Sequence, residues 1–155
     1  MPGSTQLSPK VSVGGQPSVA DLRRLRTQGF STVVDLRVVG EPEQPMPPEA
    51  EGAAVRELGL DYHHIPVALT RLDPAQVTQL CAAIDASGGP VYVHCAAGQR
   101  ACSFTLLASS RGAPLLAEDV LARAESLGFP VTDAHLALFL REQAERARQR
   151  LLQAI

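Results

Sequence analysis

His94-Cys95-Ala96-Ala97-Gly98-Gln99-Arg100 brings a thiol, an imidazole, a glycine and a guanidinium into one short stretch. It lies between the apolar run Val91 to Val93 and the apolar segment Ala101 to Leu107, the pattern of a strand, a tight loop and a helix. A loop entering a helix turns successive N–H groups toward one point at the helix's positive end, which makes an anion cradle. The same field, with a cation nearby, favours a thiolate at Cys95. Gly98 permits close backbone approach, and Arg100 grips two oxygens of a tetrahedral oxyanion with its planar fork. Cys95 is then a nucleophile and Arg100 a transition-state clamp. The amides of Ala96, Ala97, Gly98, Gln99 and Arg100 hold the anion, a phosphate ester on this reading. His94 precedes Cys95 on an extended strand, so it points the other way and is placed to orient the loop through its backbone. A lone cysteine at a strand end is ordinarily an inert core residue. The argument for chemistry is the set: His before it, Gly three after it, Arg five after it.

Elements on both sides must deliver this loop. Val11 to Val13 reads as a strand closed by Gly14-Gly15. Ser18 and Asp21 frame a helix start, with Val19, Leu22 and Leu25 on one face and Gly29 as its stop. Phe30 to Leu36 is a buried strand that ends in Asp35-Leu36-Arg37. Four prolines and two glutamates between Val39 and Pro48 exclude regular structure there, and a helix follows from Pro48 to Leu58. Leu60 to Val67 is the next strand. Asp73-Pro74-Ala75-Gln76 opens a helix with Val77, Leu80, Cys81 and Ile84 on its apolar face. After the Val91 to His94 strand, helices are expected from Ala101, from Ala117 to Leu127 and from Thr132 to Leu152. Strands alternating with helices imply an α/β layer structure with a mostly parallel sheet. Ligands in such sheets bind beyond the strands' carboxyl ends, so Arg37, the loop after Val67 and the Cys95 segment should open toward one edge. Arg37 either adds positive potential there or pairs with a carboxylate such as Glu41 or Glu43 for structure. His63 and His64 should divide between the two faces of their strand, one buried and one exposed.

The 155 residues fit a single domain, with residues 1–10 expected to be flexible. A composition 45% hydrophobic and 19% charged, with a formal net charge of -2, leaves no basic field for nucleic acid. No apolar run is long enough for a membrane span, and residues 1–10 lack a signal-peptide core, so a cytoplasmic location is expected. Cys81, Cys95 and Cys102 are odd in number and lack paired zinc-type spacing. Cys81 and Cys102 fall on apolar helix positions and read as core, the alternative being a resolving thiol that forms a disulfide with an oxidised Cys95. No metal or organic cofactor is implied.

Val11 to Pro17 (VSVGGQP), Phe30 to Arg37 (FSTVVDLR), Tyr62 to Val67 (YHHIPV) and Val91 to Arg100 (VYVHCAAGQR) resemble, in order and spacing, the bacterial protein-tyrosine-phosphatase-like family related to β-lactamase-hydrolase-like phosphatases. The resemblance covers Val11 to Leu107. It implies the dual-specificity-phosphatase fold, a mainly parallel four-stranded sheet flanked by helices. It also implies hydrolysis of a phosphorylated small molecule or protein through a cysteinyl-phosphate intermediate. Carried over, it makes Cys95 the nucleophile, Arg100 the clamp, Ala96 to Arg100 the cradle and His94 the loop-orienting residue. Three departures stand out. Tyrosine phosphatases place five residues between cysteine and arginine, whereas four stand here; Ala101 replaces the hydroxyl residue that usually follows the arginine, leaving Ser103 as the nearest substitute. The usual aspartate after Ile65-Pro66-Val67 is Ala68, and Asp73, the nearest candidate acid, suits a helix cap better. The short loop also resembles that of rhodanese sulfurtransferases, which carry a cysteine persulfide, and the missing acid suits a non-catalytic phosphate-binding module.

Overall fold

The structure is a computed structural model that describes residues 4–110 and 115–154. Among these residues, five strands form one sheet: β1 (Thr5–Gln6), β2 (Val11–Gly14), β3 (Thr32–Asp35), β4 (Asp61–His64) and β5 (Val91–His94). Their order is β1-β2-β5-β3-β4, with β1 antiparallel to β2 and the other pairings parallel. The four parallel strands are those expected. The fifth is the difference: part of the stretch expected to be flexible adds the edge strand β1, and Leu7 packs on the core. Two residues carry too little alternation to announce a strand. Residues 1–3 of that stretch lie outside the described residues.

Among the described residues, six helices flank the sheet: α1 (Val19–Thr27), α2 (Pro48–Glu57), α3 (Pro74–Ala86), α4 (Gln99–Ser109), α5 (Ala117–Ser126) and α6 (Ala134–Gln153). Side chains alternate across a strand, so neighbouring strand residues serve different layers. Val11, Val13, Val34, Val91 and Val93 join Leu80, Phe104, Leu136 and Leu140 in the larger core, under α3 to α6. Val33 and Tyr92 face the other way, onto Leu22 and Leu25 of α1 and Val55 of α2. Burying one such leucine fully contributes about 1.5–3 kcal/mol, which fixes each helix to its face. With both faces covered, the strands read as nearly continuous apolar runs.

Register sets what the sheet presents at its carboxyl edge. Gly14, His94, Asp35 and His64 lie abreast in one row. The segments that leave this row, at Gly15, Cys95, Leu36 and Ile65, therefore emerge side by side.

Two capping boxes hold the helix starts. Ser18 accepts from the Asp21 N–H at 3.1 Å while Asp21 accepts from the Ser18 N–H at 2.9 Å. At α3, Asp73 Oδ1 accepts from the Ala75 N–H at 2.8 Å, and Gln76 Oε1 accepts from the Asp73 N–H at 3.0 Å. Asp73→Ala is therefore expected to lower stability by about 0.5–2 kcal/mol in urea denaturation, and Asp73→Asn by less. Unchanged stability in the alanine variant would mean that the cap contributes nothing.

Candidate active site

Cys95 is the first residue beyond β5, and its sulfur is almost fully buried at the centre of the turn into α4. The Gly98 N–H donates to Sγ at 3.1 Å and the Ala101 N–H at 3.4 Å. Among the described residues, no protein acceptor takes the N–H groups of Ala96, Ala97, Gln99 or Arg100. The loop thus wraps its cysteine and holds unspent donors at the start of a helix.

Gly98 makes the turn possible. Its φ of +106° is left-handed, and a Cβ there would stand 2.2 Å from the Phe129 ring. A non-glycine residue would meet backbone strain and ring together. The Gln99 side chain turns outward instead of joining the cradle. It donates to Thr132 Oγ1 at 3.1 Å and accepts from the Thr132 and Asp133 N–H groups at 3.2 Å, stapling the loop to the entry of α6.

Arg100 Nη1 and Nη2 donate to the two carboxylate oxygens of Glu41 at 2.7 and 2.8 Å, and Nη1 also donates to the Val67 carbonyl at 2.8 Å. These bonds occupy three of the five guanidinium N–H groups and leave the Nε edge for another partner. Burial works against the charge, but the Glu41 hydrogen bond and the adjoining Cys95 and Glu41 charges raise the Arg100 pKa above its ordinary value. Burial likewise opposes charge on Glu41. There the Arg100 hydrogen bond, the Val38 N–H and Arg37 prevail, and the carboxyl falls to about 2.

Arg37 lies beneath the site rather than in it, only 2% exposed. It donates to Glu41 Oε1 at 3.2 Å, to Gln16 Oε1 at 3.0 Å and to the Pro42 carbonyl at 2.8 Å, so it braces the proline-rich loop. His94 points away from the cysteine, as alternation requires, and stacks on Tyr92 at 6.0 Å. Its Nδ1 meets the Cys95 carbonyl at 3.2 Å and its Nε2 meets Glu51 Oε2 at 2.6 Å. Burial disfavours an imidazolium, but the Glu51 hydrogen bond and the charges of Glu51 and Asp35 lift the His94 pKa above its ordinary value.

Glu51, Gln16 and Tyr62 carry parts of this site that spacing alone did not single out. Gln16 Nε2 donates to Glu51 Oε1 at 2.6 Å, and its backbone N–H donates to the Ala96 carbonyl at 3.1 Å. Asp35 Oδ2 accepts from the Tyr62 hydroxyl at 2.8 Å, and Oδ1 from the Arg37 N–H at 2.9 Å. Gly52 lets α2 come this close, since a Cβ there would stand 2.9 Å from the Tyr62 ring. A signal for Glu51 existed: it falls one turn before Val55, on the face of α2 that turns inward. Asp35, Glu51 and His94 are also the one group of three metal-type donors among the described residues, within 4.8 Å of one another. Each already engages protein partners.

His63 and His64 do not divide into buried and exposed as expected. Both are half-buried, because β4 is the sheet's edge, and His64 Nε2 lies 2.6 Å from the Arg37 carbonyl. Cys81 and Cys102 are buried, and burial pushes the Cys102 thiol up to about 11. Ser103 Oγ is buried without a hydrogen-bond partner among the described residues. Asp73 stays at its exposed cap. A groove of about 440 Å³ lies elsewhere, lined by Val77, Leu107 and Leu151 among others. No described helix is long and apolar enough to cross a membrane.

Residues 5–112 match the family model described as beta-lactamase hydrolase-like protein, phosphatase-like domain. The chain is 30% identical over 139 residues to a beta-lactamase hydrolase-like protein of Xylella fastidiosa, and 28% identical over 132 residues to one of Agrobacterium fabrum. Those alignments cover 89% and 84% of this chain but only 32% and 30% of the relatives, so the chain spans about a third of their length. Among solved structures, P. aeruginosa TpbA in complex with pTyr superposes with a TM-score of 0.74 at 17% identity, covering 97% of this chain and 90% of that one.

The Glu41 pair has a pH signature. Its folded pKa of about 2 lies below the ordinary 4.5, so its stabilisation is complete above pH 4.5 and is lost as pH falls toward about 2. Urea denaturation across that window should show the wild type losing stability more steeply than Glu41→Gln. Parallel curves would remove Glu41 from the account.

Proposed function

The chain belongs to the phosphatase-like domain family of beta-lactamase hydrolase-like proteins, and we propose that it is a cysteine-dependent phosphatase that hydrolyses phosphate monoesters, aryl phosphates above all. One observation carries the reading: Cys95 Sγ is centred in a turn whose Ala96, Ala97, Gln99 and Arg100 amides have no protein acceptor among the described residues, with the Arg100 guanidinium beside it. A tetrahedral oxyanion above the sulfur meets those donors and the Nε edge of Arg100. The superposition on a fold that binds pTyr in TpbA supports the same substrate class.

In the proposed reaction the Cys95 thiolate attacks phosphorus, and the P–O bond to the alcohol breaks with its electron pair on oxygen. Water then attacks the cysteinyl-phosphate, the S–P bond breaks, and inorganic phosphate leaves with the thiolate restored. Arg100 and the amides stabilise the charge spread over the equatorial oxygens in both steps. His94 orients the loop through the Cys95 carbonyl.

Leaving-group protonation sets the preference. Ala68 stands where a catalytic aspartate would be expected, and Asp73 is held as a cap. Glu41, the carboxylate nearest Arg100, titrates at about 2 and carries no proton at neutral pH. A placed acid contributes about 10²–10⁴-fold, most where the leaving oxygen is basic. Phenolates depart without that help far more readily than alkoxides, hence the aryl preference.

The test is a series of aryl phosphates of graded leaving-group pKa, run beside thiosulfate plus cyanide as a sulfurtransferase assay. Steep dependence on leaving-group pKa is expected in wild type and in Asp73→Asn alike. Cys95→Ser should abolish turnover and Arg100→Lys should lower it on the order of 10²-fold, since a point charge cannot replace the planar fork. A dependence that is flat in wild type and steep in Asp73→Asn would make Asp73 the acid. Thiocyanate without phosphate release would replace the phosphatase with a sulfurtransferase. Phosphate binding without either product would leave a binding module.

A further inference from the structure

The Cys95 carbonyl oxygen only accepts hydrogen bonds, so the Nδ1 atom 3.2 Å away must carry a proton to bond it. Nε2, 2.6 Å from Glu51 Oε2, either donates to a carboxylate or accepts from a carboxylic acid. Gln16 donates to the other Glu51 oxygen at 2.6 Å, so with Nε2 donating as well both oxygens are satisfied as acceptors, the arrangement that suits the ionised acid. His94 and Glu51 are both fully buried, so no solvent substitutes for either partner.

We infer that Glu51 is a positioning residue for the Cys95 loop. By accepting from Nε2 it keeps His94 doubly protonated, and only then do both ring N–H groups donate, one to Glu51 and one to the Cys95 carbonyl. The kinetic consequence rests on the phosphatase reading; the protonation state does not. The groups that face His94 come from each packed element. They are Glu51 from α2, Asp35 from β3 at 3.8 Å with the β4 Tyr62 hydroxyl behind it, and Tyr92 and Cys95 from its own segment; β2 brings Gly14 abreast. Both neighbouring carboxylates raise the His94 pKa against the effect of burial.

When pH rises through that pKa, the Glu51 carboxylate retains the Nε2 proton and the proton leaves from Nδ1. The Nδ1 lone pair then faces the carbonyl lone pairs of Cys95, and the loop loses its anchor. Glu51→Gln keeps the shape and changes the logic. Its NH₂ donates to Nε2 while its carbonyl accepts from Gln16, so a neutral imidazole protonated at Nδ1 suffices.

The experiment uses the full chain with ¹⁵N-labelled histidine and follows the His94 ring nitrogens by NMR across pH in wild type and Glu51→Gln, with kcat and KM for p-nitrophenyl phosphate in parallel. Wild-type His94 should hold both ring protons at neutral pH and release one only above the ordinary imidazole range. The alkaline limb of kcat should share that midpoint, with KM little moved. In Glu51→Gln, His94 should be neutral with its proton on Nδ1, and the alkaline limb should vanish. Glu51→Ala should lose activity about 10²-fold or fail to fold, and the glutamine variant decides in either case. A neutral His94 in the wild type, or a titration that Glu51→Gln leaves unmoved, overturns the inference. A wild type inactive on p-nitrophenyl phosphate would sink the phosphatase reading while the NMR measurement still decides this one.

Discussion

Three acids and three bases share the space beneath one loop, and the need to satisfy them mutually organises the carboxyl edge of the sheet. Asp35, Glu41 and Glu51 stand against Arg37, His94 and Arg100, so formal charges cancel within the cluster when His94 carries both ring protons, as inferred above. Burying ions is costly unless each is paired and hydrogen-bonded, and removing one partner of a buried pair costs about 3–5 kcal/mol. Here the pairing is continuous. Tyr62 holds Asp35, Asp35 neighbours His94, His94 meets Glu51, Gln16 ties Glu51 to Arg37, and Glu41 ties Arg37 to Arg100. Such a chain resists local adjustment, because moving one member leaves others unsatisfied.

The sheet supplies the reference frame for that chain. Because Gly14, His94, Asp35 and His64 are in one row, the Gln16, Cys95, Arg37 and Val67 segments start from fixed relative positions. Alternation then divides the labour. His94 and Asp35 turn toward the α2 face, and Cys95 turns toward the larger core. A one-residue slip of β5 would exchange the environments of the imidazole and the thiol. Gly98 and Gly52 work at right angles to this row: one lets the loop pass under Phe129, the other lets α2 bring Glu51 down to His94.

What could be read in the chain and what could not follows the range of each interaction. The capping boxes at Ser18 and Asp73 are pairs three residues apart, so residue types alone announce them. The parallel strands follow from apolar runs, and the turn at Cys95 from the strand, glycine and helix that surround it. The Glu51–His94 contact spans 43 residues and the Glu41–Arg100 contact 59. Both depend on register and on how closely α2 and the proline-rich loop approach, which no local pattern encodes. Glu41 was visible as an acid near the opening; its bidentate grip on Arg100 was not. His63 and His64 were misjudged because a split into one buried and one exposed residue assumes one covered and one open face, whereas on the edge strand β4 both are half-buried.

The Glu41 pair also shapes what the loop can do in the proposed reaction. Glu41 and the Val67 carbonyl hold Arg100 by its far edge while the guanidinium stays beside Cys95, so its place over the loop is fixed before a substrate arrives. Arg37 in turn holds Glu41, so the anchor is itself anchored. The consequence is electrostatic. With its charge already balanced by Glu41, Arg100 adds directed hydrogen bonds rather than a large net attraction, and the backbone amides take most of the burden of an arriving dianion. Selection then depends less on long-range charge than on the match between a tetrahedral group and donors fixed in space. On the proposed reading, a chain with a formal net charge of -2 binds a phosphate ester through these fixed donors rather than through an overall positive charge.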